Sequence, residues 1–298
     1  MGRIETHGTQ SESRMAIEKV RRLLITTVTK WWNDNPWRLS AALSFYTLFS
    51  LAPLLTIAVG IAAVVADEEA VYEKLLGQFE VLMGKPGAEA MANMLRSAGH
   101  PLYGPIATLV SLITLLFVSM GVFSELQDAL NLIWRIPGKN SSVFWRAFRT
   151  QLVSVLLVIC TGFLLLASLL MSVIFTALEK FIQQTVPWLQ IILTVVDLTV
   201  SPIVITLLFA LIFKILPEGD ITWRDVWLGA VATTVLFTLG KWAIGLYVGR
   251  FAMASVYGVA SSPMAILLWV YYSALIFFLG AEFTFVYAQE YGSRQTRR

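Results

Sequence analysis

Four long stretches of this sequence contain no Asp, Glu, Lys or Arg, and they cover residues 39–66, 97–124, 150–178 and 251–281. Each stretch exceeds the roughly 20 residues that an α-helix needs to cross about 30 Å of hydrocarbon. The whole chain is 57% hydrophobic and 14% charged, whereas soluble domains are about 45–50% apolar and roughly 25% charged. The sequence therefore predicts an integral membrane protein and disfavours most classes of soluble enzyme.

Two further apolar stretches each contain a single ionisable residue. They cover residues 181–213, with Asp197, and 226–249, with Lys241. A crossing helix tolerates one such group if the side chain faces protein. β-Strands are a poor alternative, because the stretches lack alternating polarity and exceed the roughly 10 residues of a barrel strand. We predict an all-α polytopic fold whose membrane domain, residues 39–289, has six transmembrane helices at about 41–66, 102–124, 150–176, 189–213, 226–249 and 263–288.

Residues 1–38 contain several Lys and Arg residues before any long apolar stretch, which is not the pattern of a cleavable signal peptide. Trp32 and Trp37 stand close to the first span, and Trp favours the headgroup zone while Lys and Arg favour the anionic inner leaflet. We predict an amphipathic helix at the membrane interface, with a soluble amphipathic tail as the alternative. Its apolar positions are Val20, Leu24, Val28 and Trp31, with Lys19, Arg21, Arg22 and Lys30 available to the other side.

The Lys and Arg residues outside the spans are unevenly divided between the two sides of the membrane. With six spans, the termini share one side, which holds 16 basic residues against 4 on the other. Because cytoplasmic segments carry the excess of Lys and Arg, both termini, including the basic tail 290–298, are predicted in the cytoplasm. The spread of these charges over short segments, without a recognisable binding module, argues against nucleic acid as a partner.

The connection at residues 67–100 is the sizeable piece on the opposite side. Gly84, Pro86 and Gly87 interrupt two stretches of helical periodicity within it. We predict an extracytoplasmic helical loop, which forms either a packed cap or a lid.

Asp197 and Lys241 need an explanation, because an ionisable group at the centre of a membrane helix costs about 2.5–3.5 kcal/mol on insertion scales. At 1.5 Å per residue both lie roughly 12 Å below the outer surface. We predict that they meet between adjacent antiparallel helices. Two interpretations stay open: a polar site or gate in the outer half of the bundle, and a structural pair that sets helix register.

Glu282 is a third ionisable residue within a span, near the cytoplasmic end of the sixth. Gly280 and Ala281 precede it and permit close helix approach, so the carboxylate is expected to face the bundle. Its candidate partners are Arg135, Arg149 and Lys214.

Glu125 and Asp128 end the second span at a similar depth and share one helical face. They form a candidate inner acidic cluster that binds a cation or relays protons, or else they are helix-end charges paired with basic residues. Pro53 and Pro202 lie within spans and predict helix kinks, which line pathways in some proteins and are ordinary packing features in others.

Catalytic motifs are missing from the sequence. The single Cys160 and the two histidines, His7 and His100, are far apart, which argues against a metal site or haem attachment. The phosphate-binding loop, the His-Glu-x-x-His motif and the Gly-x-Ser-x-Gly motif do not occur. We therefore predict neither an enzyme nor a bound cofactor or metal.

Several short motifs together resemble the YihY/BrkB family of bacterial inner-membrane proteins. The motifs are FYTLFSLAPL at 45–54, GVFSELQDALNLIW at 121–134, Leu216-Pro217, WLGA at 227–230, Tyr257-Gly258, Ser262-Pro263, LLWVY at 267–271 and Gly280-Ala281-Glu282. The resemblance covers approximately residues 20–290, and the last third is its most specific part.

The resemblance implies a six-helix inner-membrane protein, linked in some members to serum resistance and often labelled a transporter. Such sequences have also carried the label ribonuclease BN, which this sequence contradicts because it has neither a metal-ligand set nor a soluble catalytic domain. Lys241 and Glu282 fall in the matching region and are carried over as site residues, whereas Asp197 rests on the depth argument.

The leading hypothesis is transport or flipping of an amphiphilic or lipid-related substrate across the inner membrane, with membrane lipid as the partner. A non-transporting protein of envelope structure or assembly is the main alternative. An intramembrane enzyme acting on lipid headgroups is a third, disfavoured because no nucleophile with a base is visible. The sequence leaves the substrate, a homo-oligomeric state and envelope protein partners open.

Overall fold

The computed structural model of the protein describes residues 5–65, 105–137, 189–219, 221–250 and 261–294, with isolated positions between 73 and 93 and at 152. These residues form long helices, and no β-strand occurs among them. The all-α prediction is confirmed for this part of the chain. The long helices are α1 (Glu5–Asn33), α2 (Pro36–Val65), α3 (Pro105–Ile133), α4 (Leu189–Ile215), α5 (Trp223–Arg250) and α6 (Ser261–Glu290).

Helices α2 to α6 coincide with five of the predicted spans, while the third, at 150–176, lies outside the described residues apart from position 152. Two stretches, Trp223–Ile244 in α5 and Pro263–Glu290 in α6, are long and apolar enough to cross a membrane. Pro202–Ile215 in α4 is a shorter apolar segment. Length and composition of these helices support a membrane protein, and the count of six spans stays a prediction.

The described positions of the predicted extracytoplasmic loop are helical. Ala88, Met91 and Ala92 are buried there, which indicates that this part of the loop packs against other residues. The choice between a cap and a lid stays open.

Helix α1 has one face buried in the molecule and another that exposes apolar side chains. Leu23 and Thr27 are buried, whereas Val20, Leu24 and Val28 are about half exposed. The pattern is that of an amphipathic helix with an apolar outer surface, and its position at the membrane interface stays a prediction. The indole rings of Trp31, Trp32 and Trp37 pack edge to face, with centroids 5.0 to 6.5 Å apart.

The structure corrects the predicted faces of α1 at two positions. Lys30 does not lie on the outer basic side, because its Nζ donates a hydrogen bond to Gln289 Oε1 of α6 at 2.8 Å. Trp31 is partly buried and packs against the core, whereas the apolar residues with which it was grouped stay exposed. Because α1 contacts α6, its buried and exposed faces differ at these two positions from the faces that the hydrophobic periodicity predicts.

Helix α6 lies at the centre of the described helices, in contact with α1, α2, α3 and α5. Its residues Phe278, Ala281 and Phe285 are at most 1% exposed. Phe277 extends the core toward α4, with its ring centroid 5.8 Å from that of Phe209 and 5.1 Å from that of Phe213. A helix that is apolar on every side can be buried within the protein, and α6 is such a helix.

Two reciprocal pairs of small residues bring α5 and α6 into close contact. A Cβ atom placed on Gly229 would overlap Thr284, and one placed on Gly280 would overlap Thr233. Each Thr hydroxyl donates within its own helix at 2.7 Å, Thr233 to Gly229 O and Thr284 to Gly280 O. Both helices thus present the same Gly-x-x-x-Thr motif to each other, which permits close backbone approach.

Two polar residues of α3 hold the turn that follows α4. Gln127 Nε2 donates to Leu216 O at 3.1 Å, and Asn131 Oδ1 accepts from Glu218 N at 2.9 Å. Both polar side chains belong to the sequence motif at 121–134. The contact joins this motif to Leu216-Pro217, so two signatures that are distant in sequence meet in the fold.

The start of α5 is held by Asp225, which is 1% exposed. Its Oδ2 accepts hydrogen bonds from Thr222 Oγ1 at 2.8 Å and from Ser293 Oγ at 2.6 Å. The acidic group also complements the N-terminal end of the α5 dipole. The carboxylate therefore joins the beginning of α5 to the segment that follows α6.

We expect Asp225→Ala to lower the free energy of unfolding by about 1–2 kcal/mol, because a favourable negative charge in the first turn of α5, the hydrogen bond from Thr222 and a tertiary hydrogen bond are lost together. Ser293→Ala removes the tertiary bond alone and is expected to have a smaller effect. Thermal unfolding of the full chain in detergent micelles measures both. An Asp225→Ala variant as stable as the wild type would contradict the stabilising role of these contacts.

Candidate functional site

Glu282 lies in the last third of α6, and its side chain is fully buried. Neither of its carboxyl oxygens has a hydrogen-bond partner among the described residues. Buried polar groups are normally hydrogen-bonded, because leaving one unpaired in apolar surroundings costs free energy. Glu282 faces the interior of the bundle, as Gly280 and Ala281 indicate, and its missing donors distinguish it from an ordinary buried residue.

A second carboxyl group, that of Asp34, lies within hydrogen-bonding reach of Glu282. Asp34 belongs to the turn between α1 and α2, and its side chain is 9% exposed. Its Oδ1 accepts from Arg135 Nη2 at 2.8 Å, whereas its Oδ2 has no donor among the described residues. Two acidic side chains from distant parts of the sequence therefore face each other without a donor between them.

Arg135 approaches Asp34 from the end of α3. The helix ends in a Schellman motif, in which Ile136 N donates to Asn131 O and Arg135 N donates to Leu132 O. This motif holds Arg135 at a φ of 51°, and Asn35 beside Asp34 has a φ of 53°. The left-handed conformation is rare for residues other than Gly. Arg135 itself and the residue that follows Asp34 thus both adopt this conformation.

Lys30 supplies the second cation near Glu282. Its ammonium group lies 4.6 Å from the centroid of the Phe285 ring and donates to Gln289. Partial burial lowers the pKa of Lys30 below its ordinary value, while the acidic groups around it, Glu282 first, act in the opposite direction. Among the described residues, Lys30 interacts with Glu282 through its charge and not through a direct hydrogen bond.

These four residues, Lys30, Asp34, Arg135 and Glu282, form a group that we call the polar junction. The polar junction joins α1, the α1–α2 turn, the end of α3 and the last third of α6. The sequence predicts that this end of α6 lies on the cytoplasmic side. Two acids and two bases are brought together, and the carboxyl pair is the buried part. Such a group can bind an ionic partner and can take up or release a proton.

The residues of the predicted pair, Asp197 and Lys241, lie on α4 and α5. Asp197 lies in α4, and its side chain is outside the described part of the structure; Lys241 is partly buried on α5. Thr206 Oγ1 donates to Thr234 Oγ1 at 2.9 Å, which sets the antiparallel register of these helices. In that register Asp197 lies opposite the turn of α5 that contains Lys241, and the pair itself stays a prediction.

Glu125, Asp128 and Pro202 lie on α3 and α4. Glu125 is partly exposed and Asp128 is exposed on α3, and no three His, Cys, Asp or Glu residues gather as a possible metal site in the described ranges. The carboxyl beside Glu282 is that of Asp34, so the acidic cluster at Glu125 and Asp128 stays a separate hypothesis. Pro202 lies inside α4.

Pro53 and the basic partners predicted for Glu282 lie in different parts of the chain. The backbone of Pro53 lies inside α2, while its side chain falls outside the described part. Three basic partners were predicted for Glu282. One of them, Arg135, interacts with Glu282 through its positive charge. Lys214 instead donates to Ile221 O at 2.5 Å, and Arg149 is outside the described residues.

Sequence reasoning did not identify Asp34 or Lys30 as site residues. Asp34 stands in the polar stretch Asn33-Asp34-Asn35-Pro36, which marks a turn between two helices. That signal locates the turn, but it does not tell which helix the turn meets. The neighbour of Asp34 depends on the packing of α6, more than 200 residues later in the chain.

The comparisons with known proteins agree with the motifs found in sequence. A family model described as "Virulence factor BrkB" matches residues 27–298, a range that includes the whole polar junction. The UPF0761 membrane protein of Ralstonia nicotianae is 27% identical over 273 residues, which are 89% of this chain and 58% of that protein. The chain therefore spans just over half the length of this relative.

Two further relatives show the same level of similarity. The UPF0761 membrane protein of Stenotrophomonas maltophilia is 27% identical over 261 residues, or 85% of this chain and 58% of that protein. The UPF0761 membrane protein of Alteromonas mediterranea is 26% identical over 273 residues, or 89% of this chain and 87% of that protein. No solved structure matches the chain.

Proposed function

Because the chain belongs to the virulence factor BrkB family, whose relatives are named membrane proteins, we propose that it transports or flips an amphiphilic, lipid-related substrate. The site of action is the bacterial inner membrane, which the chain crosses six times with both termini in the cytoplasm. The division of the basic residues, 16 on one side against 4 on the other, supports this orientation. Membrane lipid is the proposed partner, with further copies of this chain or envelope proteins as additional partners.

The buried carboxyl of Glu282 is the observation that carries the proposal. An ionisable residue in a membrane helix is costly to insert, and such residues commonly mark transport pathways. A buried carboxyl group with a purely structural role is expected to have hydrogen-bond partners at its oxygens. Both oxygens of Glu282 lack donors among the described residues. Incomplete pairing is what a site that exchanges charge with a passing group requires.

The position of α1 supports a lipid-related substrate. The same helix contributes Lys30 to the polar junction and exposes Ile17, Leu24 and Ile25 on its apolar side. An amphipathic helix of this kind binds the boundary between headgroups and acyl chains. The polar junction would then lie beside the zone where amphiphilic molecules reside.

We propose a role without catalysis, nucleic acid or cofactor. The polar junction offers carboxyl, ammonium and guanidinium groups, and these can hold an ionic headgroup by charge without breaking a covalent bond. The ribonuclease label is therefore not carried to this chain.

The main alternative is a non-transporting structural protein, and one observation favours it. The reciprocal contacts of Gly229 with Thr284 and of Gly280 with Thr233 leave no room for an extra methyl group between α5 and α6. Such close packing suits a rigid scaffold. In a transporter, this helix pair would have to move as one body.

Transport by the purified full chain in liposomes tests the proposal. We expect the wild type to move a fluorescently labelled lipid, and Glu282→Ala and Lys241→Ala to slow this movement at least about tenfold, which corresponds to about 1.4 kcal/mol in barrier height. Glu18→Ala, at an exposed position on α1, is the matched control and should match the wild type. If the wild type moves neither lipid nor ion, and both variants still complement a deletion phenotype, the structural alternative replaces transport.

A further inference from the structure

We propose that the carboxyl groups of Asp34 and Glu282 share one exchangeable proton and form a proton-binding site at the junction of α6 with the α1–α2 turn. We infer the binding of this proton from the arrangement of the two side chains. Its use as the ion that drives transport rests on the proposed function.

Three observations at the pair support the site. The two carboxyl groups are within hydrogen-bonding reach of each other. Glu282 Oε1 and Oε2 and Asp34 Oδ2 all lack a hydrogen-bond partner among the described residues. Glu282 is fully buried and Asp34 is nearly so, which keeps bulk water from supplying the missing donors.

Electrostatics requires a proton between such groups. Two ionised carboxylates at contact distance repel each other, and burial strengthens the repulsion because the surroundings screen it less than water does. One proton converts the repulsion into a hydrogen bond between a carboxylic acid and a carboxylate. This hydrogen bond pairs one oxygen of Glu282 with Asp34 Oδ2, two of the three oxygens that lack a donor among the described residues.

The proton resides on Glu282. Asp34 Oδ1 already accepts a charge-assisted hydrogen bond from the guanidinium of Arg135 at 2.8 Å, which leaves Oδ2 as the acceptor for the proton of Glu282. The hydroxyl of Glu282 then donates to Asp34 Oδ2, and the second oxygen of Glu282 is an uncharged carbonyl. The pair carries one negative charge, which Arg135 balances.

The ionisable groups that act on Glu282 come from three elements. Lys30 comes from α1, Asp34 from the α1–α2 turn and Arg135 from the end of α3. Arg38 of α2 is exposed, and Asp225 lies at the start of α5, where it accepts from Ser293.

Release of the proton has a structural consequence. The pair then carries two negative charges against one guanidinium, and Lys30 is the remaining cation of the polar junction. The added negative charge attracts the ammonium group of Lys30, which donates to Gln289 of α6 at 2.8 Å. Proton release is therefore linked to the contact between α1 and α6.

Infrared difference spectroscopy of the full chain in lipid nanodiscs tests the site without any substrate. A protonated carboxyl has a carbonyl stretching band that carboxylates and amides lack, and this band shifts in deuterium oxide. We expect the wild type to show such a band that disappears as pH is raised. Glu282→Gln should lose the band, and Asp34→Asn should shift it because the acceptor changes, whereas Glu18→Gln should leave it unchanged.

Two results would overturn the proposal. The first is a wild type without a titrating carboxyl band over the pH range in which it stays folded. The second is a band that keeps its intensity in Glu282→Gln; should that variant fail to fold, an unshifted band in Asp34→Asn has the same meaning. A failed liposome assay with an intact band would remove the transport function and leave the proton site in place.

Discussion

Replacing Gly280 by Val is expected to lower the free energy of unfolding by about 3 kcal/mol, at the upper end of the effects of overpacking a protein interior. The Cβ atom alone would overlap the Thr233 hydroxyl and would lie 2.8 Å from Thr233 Cβ. Neither helix can yield easily, because Gly229 makes the reciprocal contact with Thr284 one turn away. Reversible unfolding of the full chain in detergent micelles, followed by circular dichroism, measures the loss.

Two variants serve as controls for this packing contact. Gly77→Val adds the same side chain at a position where a new Cβ meets nothing within 4 Å, so its stability should match that of the wild type. Gly280→Ala is expected to destabilise, and combining it with Thr233→Gly should recover part of the loss because the overlapping atoms are removed. A Gly280→Val variant with wild-type stability would show that α5 and α6 do not pack in this register.

Replacing Trp134 by Ala is expected to lower the free energy of unfolding by about 3–5 kcal/mol, the usual cost of truncating a buried aromatic residue. Trp134 directly follows the last residue of α3 and is 1% exposed. Its ring packs edge to face on Phe285 at 5.6 Å, and the Arg294 guanidinium lies 5.1 Å from the ring centroid. Removal of the ring therefore leaves a cavity where α3, α6 and the segment after α6 meet.

The indole nitrogen of Trp134 provides a sharper test of the same contact. Trp134 Nε1 has no hydrogen-bond partner among the described residues, so the ring contributes by packing. Trp134→Phe should consequently lose far less stability than Trp134→Ala. Trp242→Ala is the matched surface control, because Trp242 is 70% exposed. Equal effects of Trp134→Ala and Trp242→Ala would contradict the buried position of Trp134.

Helix type and helix position were predictable to a large extent from the apolar stretches. The described helices α4, α5 and α6 begin and end within a few residues of the predicted spans. Charge-free runs specify a helix in hydrocarbon because every backbone polar group must be bonded within the segment. Family membership was likewise evident from short motifs, and the family match over residues 27–298 confirms it.

The candidate site was predictable in part. Glu282 could be singled out because a carboxylate in an apolar helix is costly wherever the helix packs. Its neighbour Asp34 could not, since Asp34 lies in a short polar turn of ordinary composition. Lys30 was placed on the wrong face of α1 for a related reason: its long aliphatic stem lets the ammonium reach Gln289 and Phe285 on α6.

The sequence by itself determined the class of this protein, the positions of its helices and the presence of ionisable groups that a membrane helix must accommodate. These properties follow from local composition, since transfer of a segment into hydrocarbon depends on its own residues. The tertiary structure alone decided that Asp34 meets Glu282, that Arg135 is aimed at Asp34 and that two Gly-x-x-x-Thr motifs face each other. Such meetings depend on helix register and rotation, which are set by packing between segments that are distant in the chain.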